Sequence, residues 1–88
     1  MSRILELDKK ALDDLNWWAK NEPKRISKIF NLIEAILKDP FAGIGKPEGL
    51  KGNLSGCWSR RITDEHRLTY QVFNDKIVVL TCRYHYSK

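Results

Sequence analysis

"HRLTYQVFNDKIVVLTCRYHY", residues 66–86, reads as two strands and the turn between them. Both runs are rich in β-branched and aromatic residues, which suit a pleated, half-buried surface. Asn74 and Asp75 sit where a two-residue hairpin turn is expected. The segment before it, "SGCWSRRI" at 55–62, has the same character, with "TDE" at 63–65 as a second turn. Three such runs in succession predict an antiparallel meander. Alternation places Leu68, Tyr70 and Val72 on one side of the middle run, and Arg67, Thr69 and Gln71 on the other. In the last run Val78, Leu80 and Cys82 are expected toward the core, with Ile77, Val79, Thr81 and Arg83 pointing away. Arg67, Arg83 and His85 would then share an open face, in a register that the pattern leaves open.

Toward the N-terminus the period changes. "RILEL" at 3–7 is expected as a short first strand. Asp8 stands where a helix cap belongs, followed by Ala11, Leu12, Leu15, Trp18 and Ala19 at helical spacing. Asn21 and Pro23 mark the start of a second helix, running to about residue 38. Its apolar face is Ile26, Ile29, Phe30, Ile33 and Leu37, with Ile36 beside it. "DP" at 39–40 ends it. Two amphipathic helices need a surface to cover, and the sheet supplies one. The expected fold is α+β: two N-terminal helices packed on a twisted antiparallel sheet of about four strands. Residues 40–54 hold four of the five glycines and two of the three prolines. A loop of that length is usually functional or disordered. Phe41, Ile44, Leu50 and Leu54 can tack it to the body, which favours an ordered, functional loop.

Eighty-eight residues make one domain, 1–88, with one modest core and any active site in a shallow surface cleft. An apolar share of 42% and a charged share of 31% argue against disorder. There is no apolar run long enough to span a membrane and no signal-peptide core in "MSRILELDKK", so a cytoplasmic protein without membrane association is expected. Cys57 and Cys82 are expected as reduced, partly buried thiols, and with two scattered histidines they do not form a zinc site. Net charge is +5, and the excess lies in residues 46–88, with eight basic and four acidic side chains against eight and seven in residues 1–45. That distribution fits a polyanion such as RNA or DNA, or an acidic protein, and also an ordinary solvated basic surface.

The groups able to do chemistry are Lys46, Glu48, Lys51, Arg60, Arg61, Arg67, Arg83, His85 and Tyr86. RNA cleavage through the neighbouring 2′-hydroxyl needs a base at that hydroxyl, cations at the phosphate and an acid at the leaving 5′-oxygen. A glutamate or a histidine can be the base, a histidine the acid, and arginine matches two phosphate oxygens at once. No metal is required. Each group also has a plain structural reading. Glu48 alone is an ordinary loop carboxylate and His85 a surface histidine. Arg60 and Arg61 are strand residues laid over the sheet. Trp17, Trp18, Trp58 and Tyr70 read as packing residues, Tyr84 and Tyr86 as pins for the last strand, and His66 as a structural residue beside a turn.

Order and spacing of the pieces carry more than any one of them. "GKPE" at 45–48, "NLSGCWSRRI" at 53–62, "EHRLTY" at 65–70 and "RYHY" at 83–86, with "DDLNWW" at 13–18, closely resemble the YoeB/Txe family of bacterial toxin–antitoxin toxins over nearly the whole chain. The resemblance implies a microbial-RNase-like, RelE-like fold and a metal- and cofactor-free endoribonuclease that cuts mRNA in the decoding site of the 70S ribosome. It implies catalytic roles for Glu48, Arg67, His85 and Tyr86. Lys51 and Arg61 would hold RNA or ribosome, with Lys46, Arg60 and Arg83 in the same basic neighbourhood. It also implies a YefM/Phd-type antitoxin, operator DNA bound only through the toxin–antitoxin complex, and leaves a homodimer open. A ribosome-independent RNase and a non-catalytic binding module are the rival readings. Where the family often has "KPEPLK", this chain has "KPEGLK", so Gly49 is expected to loosen the backbone after Glu48. "SK" extends past "HY".

Overall fold

The computed structural model describes residues 3–84. In chain order they form β1 (Ile4–Leu7), α1 (Lys9–Asn21), a 3-10 turn at Pro23–Arg25, α2 (Ile26–Lys38), β2 (Glu48–Gly49), a second 3-10 turn at Gly52–Leu54, β3 (Cys57–Arg61), β4 (Arg67–Val72) and β5 (Lys76–Thr81). The turn at Asn74 and Asp75 forms as expected, with the Phe73 N–H donating to the Lys76 carbonyl at 2.9 Å. Pro23 opens the turn between the helices, where its missing N–H costs nothing.

The sheet has five strands in the order β1-β5-β4-β3-β2. From β2 to β5 neighbours are antiparallel, while β1 pairs with β5 in parallel, so the sheet is mixed. This corrects the expectation of about four antiparallel strands in two places. Glu48 and Gly49 form a two-residue strand within the glycine-rich segment, too short to show a period. The direction of β1 is decided by how α1 carries the chain, not by "RILEL" itself. As an edge strand, β1 leaves Ile4, Leu5 and Leu7 exposed.

One buried cluster joins the layers. Ala11 and Trp18 from α1 and Ile29, Leu32, Ile33 and Ile36 from α2 meet Ile62, Leu68, Tyr70, Ile77, Val79 and Cys82. Burying such side chains contributes about 1.5–3 kcal/mol each. Three helix positions expected inside, Leu12, Ala19 and Phe30, are exposed. The larger correction concerns β5. Ile77 and Val79 face the core, and Val78 and Leu80 do not belong to it. The cause is a bulge: Tyr70 pairs with Val79, but Thr69 pairs with Thr81, so Leu80 is an extra residue opposite none. The alternation changes phase there. Strict period two starting from Cys82 therefore gives the wrong face for residues 77–80 and the right one for Cys82. No helix among the described residues is long and apolar enough to cross a membrane.

Candidate active site

Pairing of β2 with β3 sets Glu48 opposite Ser59. Ser59 lies opposite Thr69 on β4, and Arg67 is two residues before Thr69, so these side chains share the sheet face away from the helices. Arg67 is buried and its guanidinium is held firmly. Nε donates to the Ser59 hydroxyl at 2.8 Å, and Nη2 donates to the Ser59 and Lys46 carbonyls, each at 3.2 Å. Glu48 Oε1 stands 3.7 Å from Nη2. The Glu48 side chain is 70% exposed and that of Arg67 is 10% exposed, so a fixed cation lies behind an accessible carboxylate. Nη1 of Arg67 makes no hydrogen bond to a described residue and is the edge left for an anion.

The loop is shaped for this. Lys46 has φ of +52°, a left-handed conformation uncommon for a non-glycine residue, and its carbonyl is one that Arg67 holds. Gly45, at φ +84°, lies so close to Leu32 that an added Cβ would come within 2.7 Å of its Cδ2. Gly49 differs. It pairs with Trp58, and an added Cβ would make ordinary contact with that indole at 3.5 Å. The backbone at Glu48 and Gly49 is therefore strand in this structure, paired with β3.

Arg60 is the chief correction among the expected RNA-binding residues. It is fully buried. Nε donates to the Tyr70 hydroxyl at 3.1 Å, Nη1 to the Ile44 carbonyl at 3.0 Å, and Nη2 to the Asp39 and Ala42 carbonyls at 2.6 and 3.0 Å. Strand parity explains this: Arg60 is opposite Leu68 and so points to the helix side. It ties residues 39–44 to the core. Tyr70 in turn donates to the Pro40 carbonyl at 2.6 Å. Burial pushes its hydroxyl pKa up, and the Arg60 guanidinium pulls partly back.

The other basic residues stand apart from the Glu48–Arg67 pair or on its rim. Lys46 and Lys51 are exposed. Arg61 is exposed, 3.9 Å from Asp64. Arg83 lies over the Trp17 ring at 3.8 Å and near the Tyr84 ring at 4.9 Å, so its described partners are on α1 and the chain end, not beside Arg67. His85 and Tyr86 lie outside the described residues. Ser59, which orients Arg67 through both its hydroxyl and its carbonyl, was not singled out in the sequence. Its only signal there is its place opposite Glu48 and Thr69, which needs the register. The Thr69 and Thr81 hydroxyls, buried on this same face, have no partner among the described residues. No group of three or more His, Cys, Asp or Glu gathers as metal ligands would among the described residues.

The fold that carries this pair is shared with solved bacterial toxins. The YoeB/ParE toxin from Agrobacterium tumefaciens superposes with a TM-score of 0.88 at 41% identity, over 94% of this chain and 99% of that one. YoeB of Staphylococcus aureus, solved as a dimer, gives 0.87 at 40% identity over 96% and 98% of the two chains, and the same toxin in complex with YefM gives 0.84. Toxin YoeB of Synechocystis is 51% identical over 75 residues, covering 85% of this chain and 87% of the relative. The family model for the YoeB-like toxin of bacterial type II toxin–antitoxin systems matches residues 7–86. This chain belongs to that family.

Proposed function

We propose that the protein is a ribosome-dependent mRNA endoribonuclease, the toxin of a toxin–antitoxin pair, acting by attack of the RNA 2′-hydroxyl without a metal. The observation that carries this is the Glu48–Arg67 pair: an exposed carboxylate beside a guanidinium clamped by Ser59 and Lys46. Glu48 is the general base toward the 2′-hydroxyl. Arg67 stabilises charge on the phosphorane-like transition state, and its fixed geometry means no reorganisation during reaction. His85 is the general acid at the leaving 5′-oxygen, and Tyr86 orients the phosphate. Products are a 2′,3′-cyclic or 3′-phosphate and a 5′-hydroxyl. Lys46, Lys51 and Arg61 supply positive surface around the scissile phosphate, and Arg83 supplies it near the chain end. A YefM/Phd-type antitoxin neutralises the toxin, and operator DNA is bound only through that complex. The S. aureus relatives, solved as a dimer and with YefM, support the antitoxin and a homodimer as partners.

The test is cleavage of mRNA on programmed ribosomes by the purified protein, mapped by primer extension, beside the same mRNA without ribosomes. Cuts confined to the decoding site and dependent on ribosomes are expected. Equal cutting of free RNA would replace this reading with a ribosome-independent nuclease. No cutting by folded protein would leave a binding module.

A further inference from the structure

The segment "DDLNWW" and the residue His66 have no part in the chemistry just described, yet their side chains converge on one place. The Asp14 carboxylate, buried, accepts from the Cys82 N–H at 2.8 Å. The Trp18 indole N–H, four residues on and on the same face of α1, donates to the Cys82 carbonyl at 2.8 Å. Both backbone groups of Cys82 are thus held by side chains of one helix. Two residues later the pattern repeats from another element. The Tyr84 N–H donates to Nδ1 of His66 at 2.8 Å, and the Tyr84 carbonyl accepts from the Arg67 N–H at 3.1 Å. Between them Arg83 stacks on Trp17, and the His66 ring packs between Trp18 at 5.0 Å and Tyr84 at 4.7 Å.

Four backbone hydrogen bonds on two residues beyond the end of β5 exceed what fixing a strand end requires. Tyr84 also has φ of +57°, a conformation that a bulky residue keeps only where its surroundings over-determine it. The bond from the Arg67 N–H sets the Tyr84 carbonyl at the start of β4. The next two residues in sequence are His85 and Tyr86.

We propose that Asp14, Trp18 and His66 are positioning residues, a clasp that fixes the backbone of residues 82–84 against the start of β4, where Arg67 lies. The inference rests on the nuclease reading for its effect on rate, and on the hydrogen bonds to Cys82 and Tyr84 for the clasp itself. His66 is the member whose role is cleanest to isolate. Its Nδ1 acts as acceptor, so its ring proton sits on Nε2. An asparagine can present an acceptor in the same direction, and a leucine cannot.

The experiment compares wild type, His66→Asn and His66→Leu by amide hydrogen exchange at Tyr84 and by single-turnover mRNA cleavage on programmed ribosomes, with folding checked by urea denaturation. In wild type the Tyr84 amide is expected to be protected. His66→Leu is expected to lose that protection and to cut about 100-fold more slowly, the effect of an ångström-scale misplacement, with little change in the ribosome concentration at half-saturation. His66→Asn is expected to restore most of both. Trp18→Phe, which keeps the apolar bulk and removes the donor to Cys82, is expected to lower cleavage in the same direction by less, and serves if His66→Leu does not fold. An unprotected Tyr84 amide in wild type would overturn the proposal, as would full cleavage by folded His66→Leu. If wild type itself fails to cut, the nuclease reading falls, and protection of the Tyr84 amide still decides the clasp.

Discussion

Each face of the sheet buries one arginine, and the two are held in different ways. Arg60 points to the helix side, where four acceptors from Tyr70 and residues 39–44 occupy its fork. Arg67, on the neighbouring strand, points to the open side. Three acceptors hold it there, Glu48 stands 3.7 Å from Nη2, and Nη1 makes no hydrogen bond to a described residue. The residue type is the same and burial is nearly so. What separates the arginine that ties down a loop from the one beside Glu48 is strand parity, together with how many of its donors neighbouring segments take. The lesson is that a basic count of "RR" at 60–61 says little about surface charge until the faces are known.

The comparison breaks most sharply in activity. Glu48→Gln is expected to slow cleavage by about 10²–10⁴-fold, the usual worth of a general base. Arg67→Gln is expected to slow it by about 10²–10³-fold, as for loss of a charge-stabilising donor. Ribosome affinity should change far less in both, measured by co-sedimentation, and equal losses of binding and cleavage would contradict the assigned roles. Arg60→Gln should act through stability instead. It strands the Tyr70 hydroxyl and three carbonyls, and breaking such a buried charged network costs about 3 kcal/mol or more, read as a lower urea midpoint. An Arg60→Gln protein as stable as wild type would remove the distinction between the two arginines.

The thiols sharpen the same contrast between faces. Cys82 is on the core side, where burial first and the Asp14 carboxylate second push its pKa from 9.0 up to about 12. Cys57, on the other side, is raised by burial alone. Between pH 9 and 12 an unfolded chain has released the Cys82 proton and the folded chain retains it. Stability therefore falls as pH rises through that window, by up to about 1.4 kcal/mol per pH unit for this one group. Tyr70 acts in the same direction, its pKa being raised as well. Urea midpoints across the window should decline in wild type and decline less in Cys82→Ser. Iodoacetamide near pH 8 should alkylate Cys57 ahead of Cys82 in the native protein, as seen by mass spectrometry. The smallest effect concerns Gly49. Its backbone has no left-handed φ and has room for a Cβ against Trp58, so Gly49→Ala should stabilise by about 0.4–1 kcal/mol. A destabilised variant would mean that the short strand carrying Glu48 needs glycine after all.

The sequence by itself determined the α+β class, both helices, the hairpin at Asn74 and Asp75, and four of the five strands, because these rest on local period and turn chemistry. It also pointed to Glu48 and Arg67, through the order of "GKPE" and "EHRL" and the resemblance that order carries. Only the tertiary structure decided that β1 runs parallel to β5, since strand direction in a sheet depends on how the intervening helices return the chain. Only it placed Leu80 as a bulge, which reversed the faces of residues 77–80 while leaving Cys82 on the core side. The fate of Arg60 and the support given to Arg67 by Ser59 follow from register, a long-range quantity that local spacing does not contain. The same holds for "DDLNWW". Helical period marks Trp18 as core, and packing alone shows its indole N–H and the Asp14 carboxylate closing on the backbone of Cys82, sixty-four and sixty-eight residues away.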